Sequence, residues 1–148
     1  MWLVNSLGQN ERLEYVCCLH EQAAGLAAEA YAQFNGLGVC LVTSGPGATN
    51  AITACASAWC NSMPVLFISG QVNTYQMKTP EQRFNGIQEL DIISMVKLIT
   101  KTTISLNEWR LDKPNIQHIL EDAIMWMQQP RQGPAWVDIP LDTQSAEI

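Results

Sequence analysis

What the chain has little of narrows its function first. Charged residues make up only 15 % of 148, and the balance is acidic at net −6, with eight Lys and Arg in all. No Lys/Arg cluster is present that could neutralise a run of phosphates, which argues against nucleic acid as a partner. No apolar run approaches the roughly 20 residues that span a bilayer, so no membrane partner is expected. Met1-Trp2-Leu3-Val4-Asn5-Ser6 lacks the basic stretch of a signal peptide. A soluble, cytoplasmic protein is the expectation. Ordinary domains carry about 25 % charged residues, so part of this surface is expected to meet a partner.

Chemistry-bearing motifs are also scarce. The five cysteines, Cys17, Cys18, Cys40, Cys55 and Cys60, are odd in number and show no C-x-x-C spacing. Each lies in an apolar stretch and is read as a small buried hydrophobe rather than a metal or redox group. His20-Glu21-Gln22-Ala23-Ala24 starts like a zinc-protease H-E-x-x-H but has Ala24 where the second His must stand. No metal site is expected within the chain. There is no G-x-S-x-G elbow for a serine hydrolase. Neither a Walker A loop nor a G-x-G-x-x-G fingerprint is present, so a nucleotide-binding Rossmann module is poorly supported.

What is there is a chain 47 % hydrophobic, with nine Gly and seven Pro scattered along it, long enough for one domain with a core. Short apolar runs alternate with helical patterns. Strands are predicted over 13–19, 38–43, 65–69, 101–106 and 135–139. Helices are predicted over 21–34, stopped by Asn35-Gly36, then 48–61, 89–96, and from Pro114 to about 129. Glu89 and Asp91 are read as helix initiators at the positive end of the dipole. Residues 71–86 form a long polar loop of the kind that is often functional. Trp59, Trp126 and Trp136 are read as core or interface aromatics, and His118 as a surface residue. This βαβ series predicts an α/β fold, doubly wound, with a mostly parallel sheet and helices on both faces. Ligands in such folds meet the carboxyl ends of the strands, where His20-Glu21, the Ser44-Gly45-Pro46-Gly47 turn and the loop after Gly70 all lie.

Two readings of Glu21 follow from the residues alone. One is a surface carboxylate favoured at a helix start by the macrodipole. The other is a carboxylate in a semi-apolar cleft, its pKa raised so that it shares a proton with a ligand nitrogen. Thr43-Ser44-Gly45-Pro46-Gly47-Ala48-Thr49-Asn50 is the most informative stretch. Its glycines let a flat ligand approach the backbone, and Pro46 stiffens the turn.

Six motifs in order then carry a resemblance: His20-Glu21-Gln22-Ala23-Ala24; Leu41-Val42-Thr43-Ser44-Gly45-Pro46-Gly47-Ala48-Thr49-Asn50-Ala51; Ile68-Ser69-Gly70-Gln71-Val72; Ile87-Gln88-Glu89-Leu90-Asp91-Ile92; Ile99-Thr100-Lys101; and Gly133-Pro134-Ala135-Trp136-Val137-Asp138-Ile139-Pro140. Together they resemble the amino-terminal, pyrimidine-binding domain of thiamine-diphosphate enzymes, most closely the acetolactate synthases of branched-chain amino acid biosynthesis. The resemblance implies thiamine diphosphate as cofactor, with Glu21 bonded to N1′ of its aminopyrimidine and driving the proton relay to the thiazolium. Thr43, Pro46, Gly47 and Asn50 would line the pyrimidine, and Gln88 would lie near the substrate, a 2-keto acid such as pyruvate. It implies decarboxylation and carboligation as the activity.

Two departures qualify what is implied. The relatives show Ala-Phe-Gln-Glu where this chain has Gly86-Ile87-Gln88-Glu89, and the missing aromatic bears on the acceptor. The family's first strand, with its glycine-rich turn, is expected to be missing, Trp2 to Leu7 being read as the end of the first helix. Residues 1–142 would then be the pyrimidine-binding domain, truncated at its start, and 143–148 the beginning of a linker. No Gly-Asp-Gly occurs, so Mg²⁺ and the diphosphate would be held by a domain from elsewhere, in a homo-oligomer or on a complementary diphosphate-domain chain. FAD, held by some relatives, has no support here. The chain alone is expected to be inactive. A second possibility is a non-catalytic remnant kept for oligomerisation or regulation.

Overall fold

A computed structural model describes residues 2–107 and 116–146. In chain order the elements are α1 (Trp2–Gln9), α2 (Glu21–Asn35), β1 (Gly38–Val42), α3 (Pro46–Cys60), β2 (Val65–Gln71), α4 (Ile92–Val96), β3 (Thr102–Ser105), α5 (Ile116–Gln128), β4 (Ala135–Pro140) and α6 (Leu141–Gln144). Single 3₁₀ turns occupy Thr74–Gln76 and Lys97–Ile99. The four strands form one sheet in the order β1-β2-β4-β3, and every pairing is parallel. This is the α/β fold expected from the alternation of apolar runs and helical stretches. No helix among the described residues is long and apolar enough to cross a membrane.

The sheet is covered on both faces, and the period-2 alternation shows how. Along β2, Val65 and Phe67 join Trp136, Cys40, Val42 and the small residues of α2 and α3 in one buried cluster. Leu66 points the other way and joins Ala135, Val137 and Ile139 of β4 with Ala123 and Met127 of α5. Strands buried on both faces read as continuous apolar runs, which is why VLFIS and AWVDI were visible in the sequence. Phe67 and Trp136 stack at 5.0 Å between ring centroids and 9° between planes.

Local chemistry sets the element ends. His20 caps α2, its Nδ1 accepting from Gln22 N at 3.1 Å, and Gly36 ends it at φ 83°, its N–H returning to Ala32 O. Pro46 stands in the first turn of α3, which begins two residues earlier than expected. Asp91 caps α4 by accepting from Ser94 N at 3.1 Å. Pro114 lies outside the described residues.

Three expectations need correction. Residues 13–19 are not a strand. Val16 and Leu19 are fully out in solvent, and no strand among the described residues supplies a ladder. An apolar run becomes a strand only where an edge pairs with it. The helix predicted from Glu89 starts only at Ile92, so Glu89 is no helix initiator. Its buried carboxylate instead accepts from Lys78 N at 3.1 Å and Asn85 N at 2.7 Å, pinning the long loop. Of the cysteines only Cys40 and Cys55 are buried, their thiols pushed by burial up to about 11 and about 12, whereas Cys17, Cys18 and Cys60 are exposed. The tryptophans divide between core and surface: Trp136 is core, Trp126 is half exposed and Trp59 lies under the Arg131 guanidinium at 5.9 Å. His118 is on the surface, as expected, beside Glu121.

Candidate functional site

The carboxyl ends of β1 and β2 and the amino ends of α2 and α3 meet at one end of the sheet. Glu21 is the first residue of α2 and Asn50 lies in the second turn of α3; Asn50 Nδ2 donates to Glu21 Oε2 at 3.0 Å. One turn further along both helices, a Cβ on Gly25 would stand 2.5 Å from Ala54 Cβ. That close crossing brings the two helices near enough for the Glu21–Asn50 bond. Gly25 escaped the sequence reading, although small residues at 25, 28 and 32 facing 51, 54 and 58 are the signal that would have found it.

Gly47 completes this side: a Cβ there would be 2.6 Å from Thr43 Cγ2 and 3.4 Å from Glu21 Oε1. Glu21, Thr43, Gly47 and Asn50 therefore converge. Pro46, exposed beside them, accepts from Thr49 Oγ1 at 3.1 Å. Hydrogen bonding to Asn50 and to its own backbone N–H, with His20 adjacent, holds the Glu21 carboxyl below its ordinary range despite some desolvation. The raised pKa considered from sequence is not what this chain presents, because the carboxylate is open to water and hydrogen-bonded.

Gln88 arrives from the other side. It occupies the third position of a turn closed by Glu89 N bonding to Gly86 O at 3.1 Å, and its φ is 62°. That region disfavours any residue with a Cβ and is held only where the surroundings enforce it. Gly45, itself at φ 58°, packs so closely on Gln88 that a Cβ would collide with the Gln88 carbonyl oxygen. Gly45→Ala is accordingly expected to destabilise the chain by about 2 kcal/mol or more, since backbone strain and collision add. Urea unfolding measures it, and an unchanged midpoint would refute the contact.

Thr43 and Ser44 also border a cleft of about 420 Å³ whose other walls include Gly70, Val72, Asn73 and Ile87; Glu21, Gly47, Asn50 and Gln88 do not line it. Thr43 belongs both to the Glu21 cluster and to the cleft. The loop that borders it is clasped twice: Thr74 N and Oγ1 donate to Asp142 at 3.1 and 2.6 Å, and Glu89 holds Lys78 and Asn85. No cluster of His, Cys, Asp and Glu able to hold a metal exists among the described residues.

Beneath the cleft a buried polar network crosses the sheet. Trp136 Nε1 donates to Ser69 Oγ at 2.9 Å, Ser69 Oγ to Asp138 Oδ1 at 2.5 Å, and Gln71 Nε2 to Asp138 Oδ2 at 3.0 Å. Burial pushes the Asp138 carboxyl up to about 6; the Ser69 and Gln71 hydrogen bonds oppose this, and Asp91 adds repulsion. Because the folded value exceeds the unfolded 3.8, the folded state binds more protons between the two. Asp138 therefore contributes stability that is full below about pH 4 and lost as pH rises through about 6, amounting to about 3 kcal/mol. The difference in unfolding free energy between the native chain and Asp138→Asn is expected to shift by that amount from acid to neutral pH. Parallel pH profiles would rule it out.

Comparison with known proteins agrees with this geometry. Residues 1–95 match the family described as thiamine pyrophosphate enzyme, N-terminal TPP binding domain. The acetolactate synthase large subunit of Corynebacterium glutamicum is 39 % identical over 144 residues, 96 % of this chain and 21 % of the relative. Acetolactate synthase isozyme 1 large subunit of Escherichia coli is 34 % identical over 143 residues, 96 % and 24 % respectively. Acetolactate synthase 2, chloroplastic, of Zea mays is 40 % identical over 126 residues, 84 % and 18 %. The chain spans about a fifth to a quarter of the length of these relatives. A carboxylate at a helix start, a glycine–proline turn at a strand end and these matches lead to one conclusion: the chain belongs to the thiamine pyrophosphate enzymes, through their N-terminal TPP binding domain.

Proposed function

We propose that this chain is the pyrimidine-binding part of an acetolactate-synthase-like carboligase acting on a 2-keto acid such as pyruvate. The observation that carries the reading is the convergence of Glu21, Thr43, Gly47 and Asn50. Thiamine diphosphate, when bound, supplies the electron sink for decarboxylation and for joining the fragment to a second carbonyl. The residues present fit its pyrimidine end. A Gly47 side chain would fill the space between Thr43 and Glu21 Oε1, so glycine leaves the approach to the carboxylate open.

In this reading the Glu21 carboxyl would hydrogen-bond N1′ of the aminopyrimidine, donating its proton to the bare ring nitrogen and accepting from it once that nitrogen is protonated. Asn50 occupies Oε2 and orients the carboxylate, which leaves the Oε1 side for the ligand. Thr43 and Pro46 would line the ring, and Gln88, held in its left-handed turn, would lie near the keto acid. The diphosphate and Mg²⁺ would be held by another domain, in a homo-oligomer or on a complementary chain. Such a domain would also cover the exposed Thr43, Pro46, Asn50 and Gln88.

The test mixes the chain with a diphosphate-domain chain, thiamine diphosphate, Mg²⁺ and pyruvate, and follows CO₂ and acetolactate. Activity is expected in the mixture and not with either chain alone. An inactive mixture in which the chain nevertheless self-associates would favour an oligomerisation module instead.

A further inference from the structure

We infer that Gln71 and Asp138 are positioning residues that hold the Gln88 turn in place from inside the sheet. The importance of that turn for catalysis rests on the proposed reading; the mechanical tie does not.

The tie is a continuous set of hydrogen bonds. Gln71, the last residue of β2 and buried, uses every polar group of its side chain. Its Nε2 donates to Asp138 Oδ2 at 3.0 Å and to Leu90 O at 2.8 Å, and its Oε1 accepts from Val72 N at 3.0 Å. Only one orientation of the amide satisfies these partners, because a carboxylate and a carbonyl both require N–H. Asp138 is in turn fixed by Ser69, which receives the Trp136 indole N–H. Leu90 stands two residues after Gln88, and the intervening Glu89 is anchored to Lys78 and Asn85. On its other side the turn rests on Gly45. Gln88 at φ 62° is thus gripped from the sheet interior, from the loop and from the glycine–proline turn. A residue with a side chain stays in that region only when so constrained. Of these three restraints, the Gln71 link is the one that ties the turn to the rigid core.

Both Nε2 hydrogens are used, one on Asp138 Oδ2 and one on Leu90 O, so the bond that completes the buried amide also reaches the chain beside the turn. The bond to Leu90 O connects a carboxylate within the sheet to a residue 48 positions earlier in the chain, directly after the surface turn.

Hydrogen exchange on the full chain tests this. In Gln71→Met the Glu89 amide, which closes the turn, is expected to exchange roughly tenfold faster, the factor for losing about one net hydrogen bond against local opening. Amides of the β2–β4 ladder should keep their native protection. Asp138→Asn, with one side-chain oxygen for the two donors Ser69 Oγ and Gln71 Nε2, should loosen the turn less than Gln71→Met, since the Gln71 bond to Leu90 O is retained. Should Gln71→Met fail to fold, Gln71→Asn provides the same test, its shorter amide being unable to span Asp138 and Leu90 together. Unchanged exchange at Glu89, or equal acceleration across the ladder and the turn, overturns the positioning role. In the reconstituted mixture Gln71→Met should raise the KM for pyruvate more than it lowers kcat. Gln88→Ala separates the two claims. If that variant keeps full activity while Gln71→Met loosens the turn, the substrate role of Gln88 fails and the tie stands.

Discussion

Glu21→Gln is expected to lower carboligation in the reconstituted mixture by roughly 10²–10⁴-fold, the usual range for loss of a positioned proton-transfer group, while leaving the fold intact. The two expectations have one origin. Glutamine is isosteric with glutamate, and its side-chain oxygen still accepts the bond that Asn50 Nδ2 makes at 3.0 Å. The α2–α3 crossing at Gly25 and Ala54 is untouched. What disappears is the ability to take and return a proton, since an amide oxygen is not basic. The Glu21 carboxyl sits below its ordinary range in this chain, chiefly through Asn50. It is therefore charged at neutral pH, and any stability it lends is present above its ordinary value of 4.5 and fades as pH falls below it. Enclosure by a second domain would strip water from it and move the value upward. Activity and urea midpoint measured on the same preparation test both halves. Full activity in Glu21→Gln would remove Glu21 from the chemistry.

Trp136→Ala is expected to cost about 3–5 kcal/mol, the range for emptying a fully buried large aromatic site. The indole is wholly buried, stacks on Phe67 at 5.0 Å and donates to Ser69 Oγ at 2.9 Å. Alanine would lose the stack and leave a cavity where β2, β4 and the helices of one face meet. Domains of this size are stable by about 5–15 kcal/mol, so the variant keeps only a fraction of its margin. Trp136→Phe retains the ring contact and loses the N–H donor, and should cost about 1 kcal/mol. Equal losses in the two variants would mean that the hydrogen bond, not the stack, carries the site.

The legibility of this chain divides along a physical line. Segments whose own residues decide their conformation were readable. The apolar runs of β1, β2 and β4 need burial on both faces, and only a covered parallel sheet provides it. Asn35-Gly36 stopped α2 because glycine alone enters the left-handed cap without strain, and Pro46 opened α3 because a first-turn residue needs no N–H. The order of the motifs, from His20-Glu21 to Asp138-Ile139-Pro140, was enough to indicate the family.

Segments whose fate depends on a distant partner were not readable. Residues 13–19 have the composition of a strand, yet no edge among the described residues pairs with them. Glu89 stands where a helix initiator would, but two backbone amides of the loop claim its carboxylate. Gly25 looked like one more small residue until Ala54 stood opposite it.

The low charge content has the same dual character. It raises the expectation of a covering partner, and the exposed residues Thr43, Pro46, Asn50 and Gln88 are where the proposed second domain would sit. Composition and spacing by themselves determined the fold class, the helix stops and the residues worth suspecting, because these follow from local sterics and from hydrophobic periodicity. Only the tertiary structure decided that Asn50 restrains Glu21, that Gly45 supports a left-handed Gln88, and that Asp138 reaches the site through Gln71. Those pairings join residues 19 to 67 positions apart, and hydrogen bonds at such separations exist only once the chain has closed around its core.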